Sequence, residues 1–135
     1  SSILQSIVAK MIAHNPVAAI CHGTVLVARS KRDDGKSVLW DRKTTSLLKS
    51  QELLAWALTR FWLKNYYRTY PETVQDEVTR NLASKDQFIS GPLPMTRDSE
   101  TQLENGFIVV DGNYISARWP GDAHRFATEF LKMLS

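Results

Sequence analysis

The feature that most constrains this chain is a short apolar run, Val17-Ala18-Ala19-Ile20, followed without a break by Cys21-His22-Gly23. Asn15-Pro16 precedes the run, and the residue before a proline avoids the helical region. A wholly apolar segment this short, bounded by turn signals, fits a strand buried on both faces of a parallel sheet. Such a strand needs neighbours, and the chain supplies few. A doubly wound sheet would require roughly three further strands. The expectation is therefore an α/β layered fold of which this sequence forms a part.

Periodicity places the other elements around that strand. Ile3, Leu4, Ile7, Val8, Met11 and Ile12 make one apolar face of a helix over Ser2 to His14. Thr24 to Ser30 is apolar enough for a buried helix. Lys31 to Lys36 is a polar turn around Asp34-Gly35, and Val38-Leu39-Trp40 begins a strand running towards Thr44-Thr45. Leu53, Leu54, Ala57, Leu58, Phe61 and Trp62 give the apolar side of a helix from Ser50 to about Tyr66. Pro71 suits the first turn of another helix, with Glu72 and Asp76 near its positive end and Val74, Val78 and Leu82 on its apolar side. Ser84 to Asn105 is too long for a simple connection and reads as a functional loop or lid, with Gly91-Pro92-Leu93 placed to fold over Cys21. Phe107 to Val110, the turn Asp111-Gly112-Asn113 and Tyr114 to Ala117 form a hairpin. Asp122 then caps a final helix carrying Ala123, Phe126, Ala127, Phe130, Leu131 and Leu134.

Composition narrows the function classes. At 135 residues, 43% hydrophobic and 23% charged, the chain has one domain's worth of sequence and an ordinary globular balance. A net charge of +3 without a basic stripe argues against nucleic acid as partner. No apolar run approaches the roughly 18 residues of a membrane span, and no signal peptide is visible. The one cysteine rules out an internal disulfide and fits a reducing, cytoplasmic setting. Three histidines and one cysteine lack zinc-like spacing, and no cofactor motif is present. A start at Ser1-Ser2 without methionine suggests trimming or processing.

Cys21 is the residue with the clearest chemical potential. A cysteine between a buried strand and a helix is lifted out of the sheet by the sharp turn, as in a nucleophile elbow. The helix start also directs N–H groups and partial positive charge at the sulfur, favouring thiolate. His22 can act as general base or acid, Gly23 permits close backbone approach, and the amides of His22 and Gly23 can form an oxyanion hole. Against this stands the plain alternative that a lone cysteine at a strand end is a small buried hydrophobe.

Three blocks resemble one family. Ala18-Ala19-Ile20-Cys21-His22-Gly23 is similar to the nucleophile-elbow motif of the ThiJ/PfpI superfamily, within the class I glutamine-amidotransferase-like fold. Asp41-Arg42-Lys43-Thr44-Thr45 resembles the Gly-Arg-Lys-x-Thr strand that follows the elbow helix, with Asp41 where glycine is common. Asp111-Gly112-Asn113, Ser116 to Asp122 and Phe126 look like the closing hairpin and helix. The resemblance implies a flavodoxin-like three-layer α/β sandwich. Residues 1–135 would be the C-terminal portion of one such domain, with a helical and loop insertion at 50–105. It also implies Cys21 as nucleophile, His22 as partner, and a glutamate supplied by the N-terminal half or a neighbouring subunit.

Two functions follow from the resemblance. The first is a cysteine-dependent hydrolase, glyoxalase-like or deglycase-like enzyme acting on a small carbonyl or amide compound. The second is a non-enzymatic stress or redox sensor with an oxidisable Cys21. Expected partners are a small-molecule substrate, a second chain or N-terminal segment that completes the domain, and further copies in a homo-oligomer. A glutaminase triad is not expected, because His124 is followed by Arg125-Phe126 rather than by a His-x-Glu pattern. His124 reads as an ordinary first-turn residue and His14 as a helix-end residue. Arg118 and Asp122 are expected to pair and fix the final turn. Trp56, Phe61, Trp62, Tyr66, Tyr67 and Tyr70 read as core plus a partner surface.

Overall fold

The computed structural model describes residues 1–64 and 71–135. Helix α1 spans Ser2–His14, strand β1 Val17–Ile20 and helix α2 Gly23–Arg29. Helices α3 (Lys49–Leu63) and α4 (Val74–Arg80) follow, then strands β2 (Ile108–Asp111) and β3 (Tyr114–Ala117) and helix α5 (Ala123–Leu134). Short 3-10 turns occupy Lys85–Gln87, Leu103–Asn105 and Pro120–Asp122. Tyr66, Tyr67 and Tyr70, with the last turn of the helix expected to reach Tyr66, lie outside the described residues.

The three strands form one mixed sheet in the order β1-β3-β2. β1 runs parallel to β3, with Val17 opposite Tyr114 and Ile20 opposite Ala117. β2 and β3 form the expected hairpin, closed by Gly112-Asn113 with Gly112 at φ 58. The Asn113 side-chain amide donates to the carbonyls of Ile12 and Asn15 at 2.8 and 2.7 Å, so the turn also fastens the end of α1. β3 is the central strand and all four of its residues are buried. β1 has a parallel neighbour on one edge only, among the described residues.

The core gathers Ile12, Ala19, Val25, Ala28, Leu39, Val74, Val78 and Tyr114, so α1, α2 and α4 close over the sheet together. Tyr114 is fully buried. Its hydroxyl lies 3.2 Å from Thr44 Oγ1, and burial, partly offset by hydrogen bonds from Thr44 and Ser116, pushes its pKa up to about 12. Helix α5 packs on β3. No helix among the described residues is long and apolar enough to cross a membrane.

Several expectations are corrected. Val38-Leu39-Trp40 is a series of turns rather than a strand. Ser37 Oγ donates to the Ala28 carbonyl at 2.7 Å and accepts the Leu39 N–H at 3.1 Å, which curls the chain locally. The Thr44 region adds no strand to the sheet: Thr44 forms an isolated parallel bridge to Phe88, and the Thr45 N–H reaches β3 by donating to Ser116 Oγ at 3.0 Å. Helix α4 starts after Thr73, not at Pro71, because the Thr73 hydroxyl accepts the Asp76 N–H at 3.3 Å. Asp122 occupies the cap position of α5 without capping it, and Asp98 Oδ2 instead accepts the Arg125 N–H at 2.7 Å.

The largest departure concerns α3. Leu53, Leu54, Leu58, Phe61 and Trp62 face solvent, not the core. The inward stripe holds Leu48, Glu52, Ala55 and Trp56. On α1, Ile3, Leu4, Ile7 and Met11 are likewise exposed, and only Ile12 is fully buried.

Candidate active site at the Cys21 elbow

Cys21 follows β1 directly and precedes α2, as the sequence pattern predicts. Its backbone lies at φ 58, a left-handed conformation that costs a non-glycine residue roughly 1–2 kcal/mol. Two bonds hold it there. The Cys21 N–H donates to the Ala117 carbonyl at 3.1 Å, extending the β1–β3 ladder by one residue. The buried Thr24 hydroxyl donates to the Cys21 carbonyl at 2.7 Å. A strained residue fixed by its surroundings is the geometry of a functional turn.

The half-buried thiol lines a cleft, with Sγ 3.4 Å from Nδ1 of the exposed His22. The cleft has a volume of about 580 Å³, and its walls include Leu47, Leu54, Leu58 and Trp119. Glu52 from α3 lines it too. This carboxylate is 5% exposed, and its Oε2 accepts the Val74 N–H at 2.9 Å at the start of α4.

The electrostatics reverse one expectation. Burial pushes the Cys21 thiol above its ordinary value of 9.0. The His22 backbone N–H pulls the other way by hydrogen bonding to the sulfur, and the Glu52 carboxylate pushes it further up. The balance favours the thiol over the thiolate. The amide expected to assist is present at His22, and burial outweighs it. At Gly23, a Cβ would meet no atom within 4 Å, so open space lies over this residue.

The far wall is built from the long loop and the last turn. Arg118 and Asp122 pair as expected, Nε to Oδ2 and Nη2 to Oδ1, each at 3.0 Å. Arg118 Nη1 also donates to the Ser90 carbonyl at 3.4 Å and to the Pro92 carbonyl. That grip brings Pro94, rather than Gly91-Pro92-Leu93, to the cleft. The Trp119 indole lies flat over Gly121, where a Cβ would sit 2.3 Å from the ring. His124 is an exposed residue in the first turn of α5.

Sequence reasoning missed Glu52. The glutamate that the resemblance implies belongs to a segment outside this chain and is a separate expectation. The available signal was a carboxylate four residues after Leu48 on the helix, amid apolar positions, but the more numerous leucines on the other side defined the face.

No protein-family model matches this sequence, and no curated protein matches it. Solved structures do resemble it. The 24 kDa rapid encystment protein of Francisella tularensis superposes with a TM-score of 0.73 at 23% identity, over 100% of this chain and 51% of that one. Glyoxalase III of Candida albicans superposes with a TM-score of 0.62 at 15% identity, over 94% of this chain and 46% of that one. The chain thus shares a mixed α/β fold with these proteins and spans about half their length.

Proposed function

We propose that this chain is the nucleophile-bearing, C-terminal portion of a ThiJ/PfpI-type domain, a flavodoxin-like sandwich in its complete form, acting on a carbonyl or amide compound through Cys21. The observation that carries the reading is Cys21 at φ 58, between a parallel strand and a helix, with its sulfur 3.4 Å from His22 Nδ1 in a cleft. The fold likeness to a glyoxalase III supports the same class.

The chemistry follows from a thiol that rests protonated. As substrate enters, the Cys21 proton passes to His22 and the thiolate attacks the carbonyl carbon. A C–S bond forms and the carbonyl oxygen becomes an oxyanion within reach of the backbone N–H groups at the elbow. Glu52, as a carboxylate in the same cleft, stabilises the imidazolium created by the transfer. With an amide, collapse of the adduct expels the amine, which takes the proton from His22, and water then releases the acid. With an aldehyde, the oxyanion takes the proton back from His22 and the adduct is a thiohemiacetal. No step calls on a metal or cofactor.

The sheet edge of β1 and the exposed Ile3, Leu4, Ile7 and Met11 of α1 fit a second chain or N-terminal segment that completes the domain. The site would then function within an oligomer of complete domains. The redox-sensor alternative needs the same sulfur and differs in its product, a reversibly oxidised Cys21. The test is turnover of methylglyoxal and of a model amide by the protein in its native assembly. Loss of turnover in Cys21→Ala is expected. Unchanged turnover overturns the reading, and sulfenic acid at Cys21 with no turnover by the native protein favours the sensor.

A further inference from the structure

We infer that the Cys21 cleft takes a neutral carbonyl or acyl compound carrying an apolar tail, and discriminates against small or anionic ones. The inference deepens the proposed function and rests on Cys21 as the reacting group.

Size comes first. A cleft of about 580 Å³ has the dimensions of a site that encloses a whole organic ligand, and a molecule of a few heavy atoms leaves most of it unfilled.

Charge comes second. Among the described lining residues there is no lysine or arginine, and the only ionisable carboxyl is Glu52. An anionic substrate would enter an apolar cleft against a buried carboxylate, with neither lysine nor arginine among the described lining residues to receive it and with His22 engaged by the Cys21 sulfur. Of the charged side chains lining the other described clefts, Arg80 pairs with Glu72, Asp76 with Lys49 and Arg32 with Asp41, and none of these lines the Cys21 cleft.

The third observation is how α3 is turned. Glu52 must face inward to accept the Val74 N–H. That fixes the rotation of the helix and leaves Leu54 and Leu58, one turn apart, at the mouth of the cleft, 61% and 64% exposed. The stripe continues outward through Phe61 and Trp62, 78% and 81% exposed. The exposed side chains of Leu54, Leu58, Phe61 and Trp62 therefore carry an apolar surface outward from the cleft that Cys21 lines. A tail lying along it buries carbon against carbon while the reactive carbonyl stays at Cys21.

Because Cys21 is the only cysteine, its alkylation is read directly by intact mass. The probes are iodoacetamide, N-hexyl iodoacetamide and iodoacetate, each rate divided by that with N-acetylcysteine. In every case the sulfur displaces iodide, a C–S bond replaces the C–I bond, and the thiol proton goes to solvent. Each buried methylene strengthens binding about fourfold, so three in contact suffice for more than tenfold. The expected result is N-hexyl iodoacetamide at least tenfold faster than iodoacetamide, and iodoacetate slower than both. The Leu54→Ser, Leu58→Ser double variant, whose positions are exposed, should bring the hexyl preference below tenfold. A hexyl preference under tenfold in the native protein, a preference that survives the double variant, or iodoacetate as fast as iodoacetamide overturns the inference. Failure of the proposed function looks different: protein fully alkylated at Cys21 would still turn over substrate, whatever the rate ratios.

Discussion

Glu52 accepts the Val74 N–H at 2.9 Å while its carboxylate borders the cleft that holds Cys21. One side chain thereby couples the start of α4, the rotation of α3 and the charge felt by the thiol. Removing the acceptor and removing the charge are separable changes, because glutamine keeps an acceptor oxygen and alanine keeps neither.

Glu52→Gln should lower the Cys21 pKa. Burial is the main cause of the upward shift and remains in the variant, while the carboxylate, which also raises it, is gone. The native alkylation rate should rise with pH through a midpoint above 9.0, and the midpoint of Glu52→Gln should fall below the native one while staying raised by burial. Rate–pH profiles with iodoacetamide make the comparison, and an unmoved midpoint would show that the carboxylate does not reach the sulfur. Glu52→Ala should in addition lose about 1–3 kcal/mol of stability, since the Val74 N–H is left buried without a partner.

Much of the frame was legible in the sequence, for local reasons. Val17–Ile20 is apolar throughout and bounded by Pro16 and Gly23, so β1 and the elbow stand out. The hairpin follows from alternating residues around Gly112, which the turn needs at φ 58. What escaped depends on long-range partners. Asp98 caps α5 from 27 residues upstream, and no spacing rule announces it. The apolar face of α3 is legible as a face, but its exposure is not, because periodicity gives the direction of a stripe without saying what it meets. The thiolate expectation failed similarly. The helix-start N–H is local and visible, whereas the burial that outweighs it is a product of tertiary packing.

Arg118→Ala should be among the most damaging single changes. Arg118 is 1% exposed and Asp122 fully buried, and the pair also organises the Phe107 N–H, which donates to Asp122 Oδ1 at 2.9 Å. Removing one partner leaves an uncompensated buried charge, at a cost of about 3–5 kcal/mol. The Ser90 and Pro92 carbonyls lose their donor at the same time, so the loop carrying Pro94 to the cleft is released. Urea denaturation should register the stability loss, and limited proteolysis should show faster cleavage near the exposed Leu93 and Met95. Lysine should not rescue, because it cannot bridge two carboxylate oxygens with the guanidinium geometry. A variant with native stability and native protease resistance would mean the pair is ornamental.

Cys21→Gly separates stability from function. The native residue sits at φ 58, and the ladder bond to Ala117 and the Thr24 bond to its carbonyl hold it there whatever the side chain. Alanine inherits the strain because it still carries a Cβ. Glycine does not, and gains most of the roughly 1–2 kcal/mol, less what its freer unfolded chain costs. The Cys21→Gly protein should therefore be about 1 kcal/mol more stable than Cys21→Ala in urea denaturation, with both lacking turnover. Equal stabilities would mean that the elbow relaxes out of the left-handed region once the sulfur is gone. The sulfur itself would then be holding the turn, and the elbow would not be a preformed feature of the backbone.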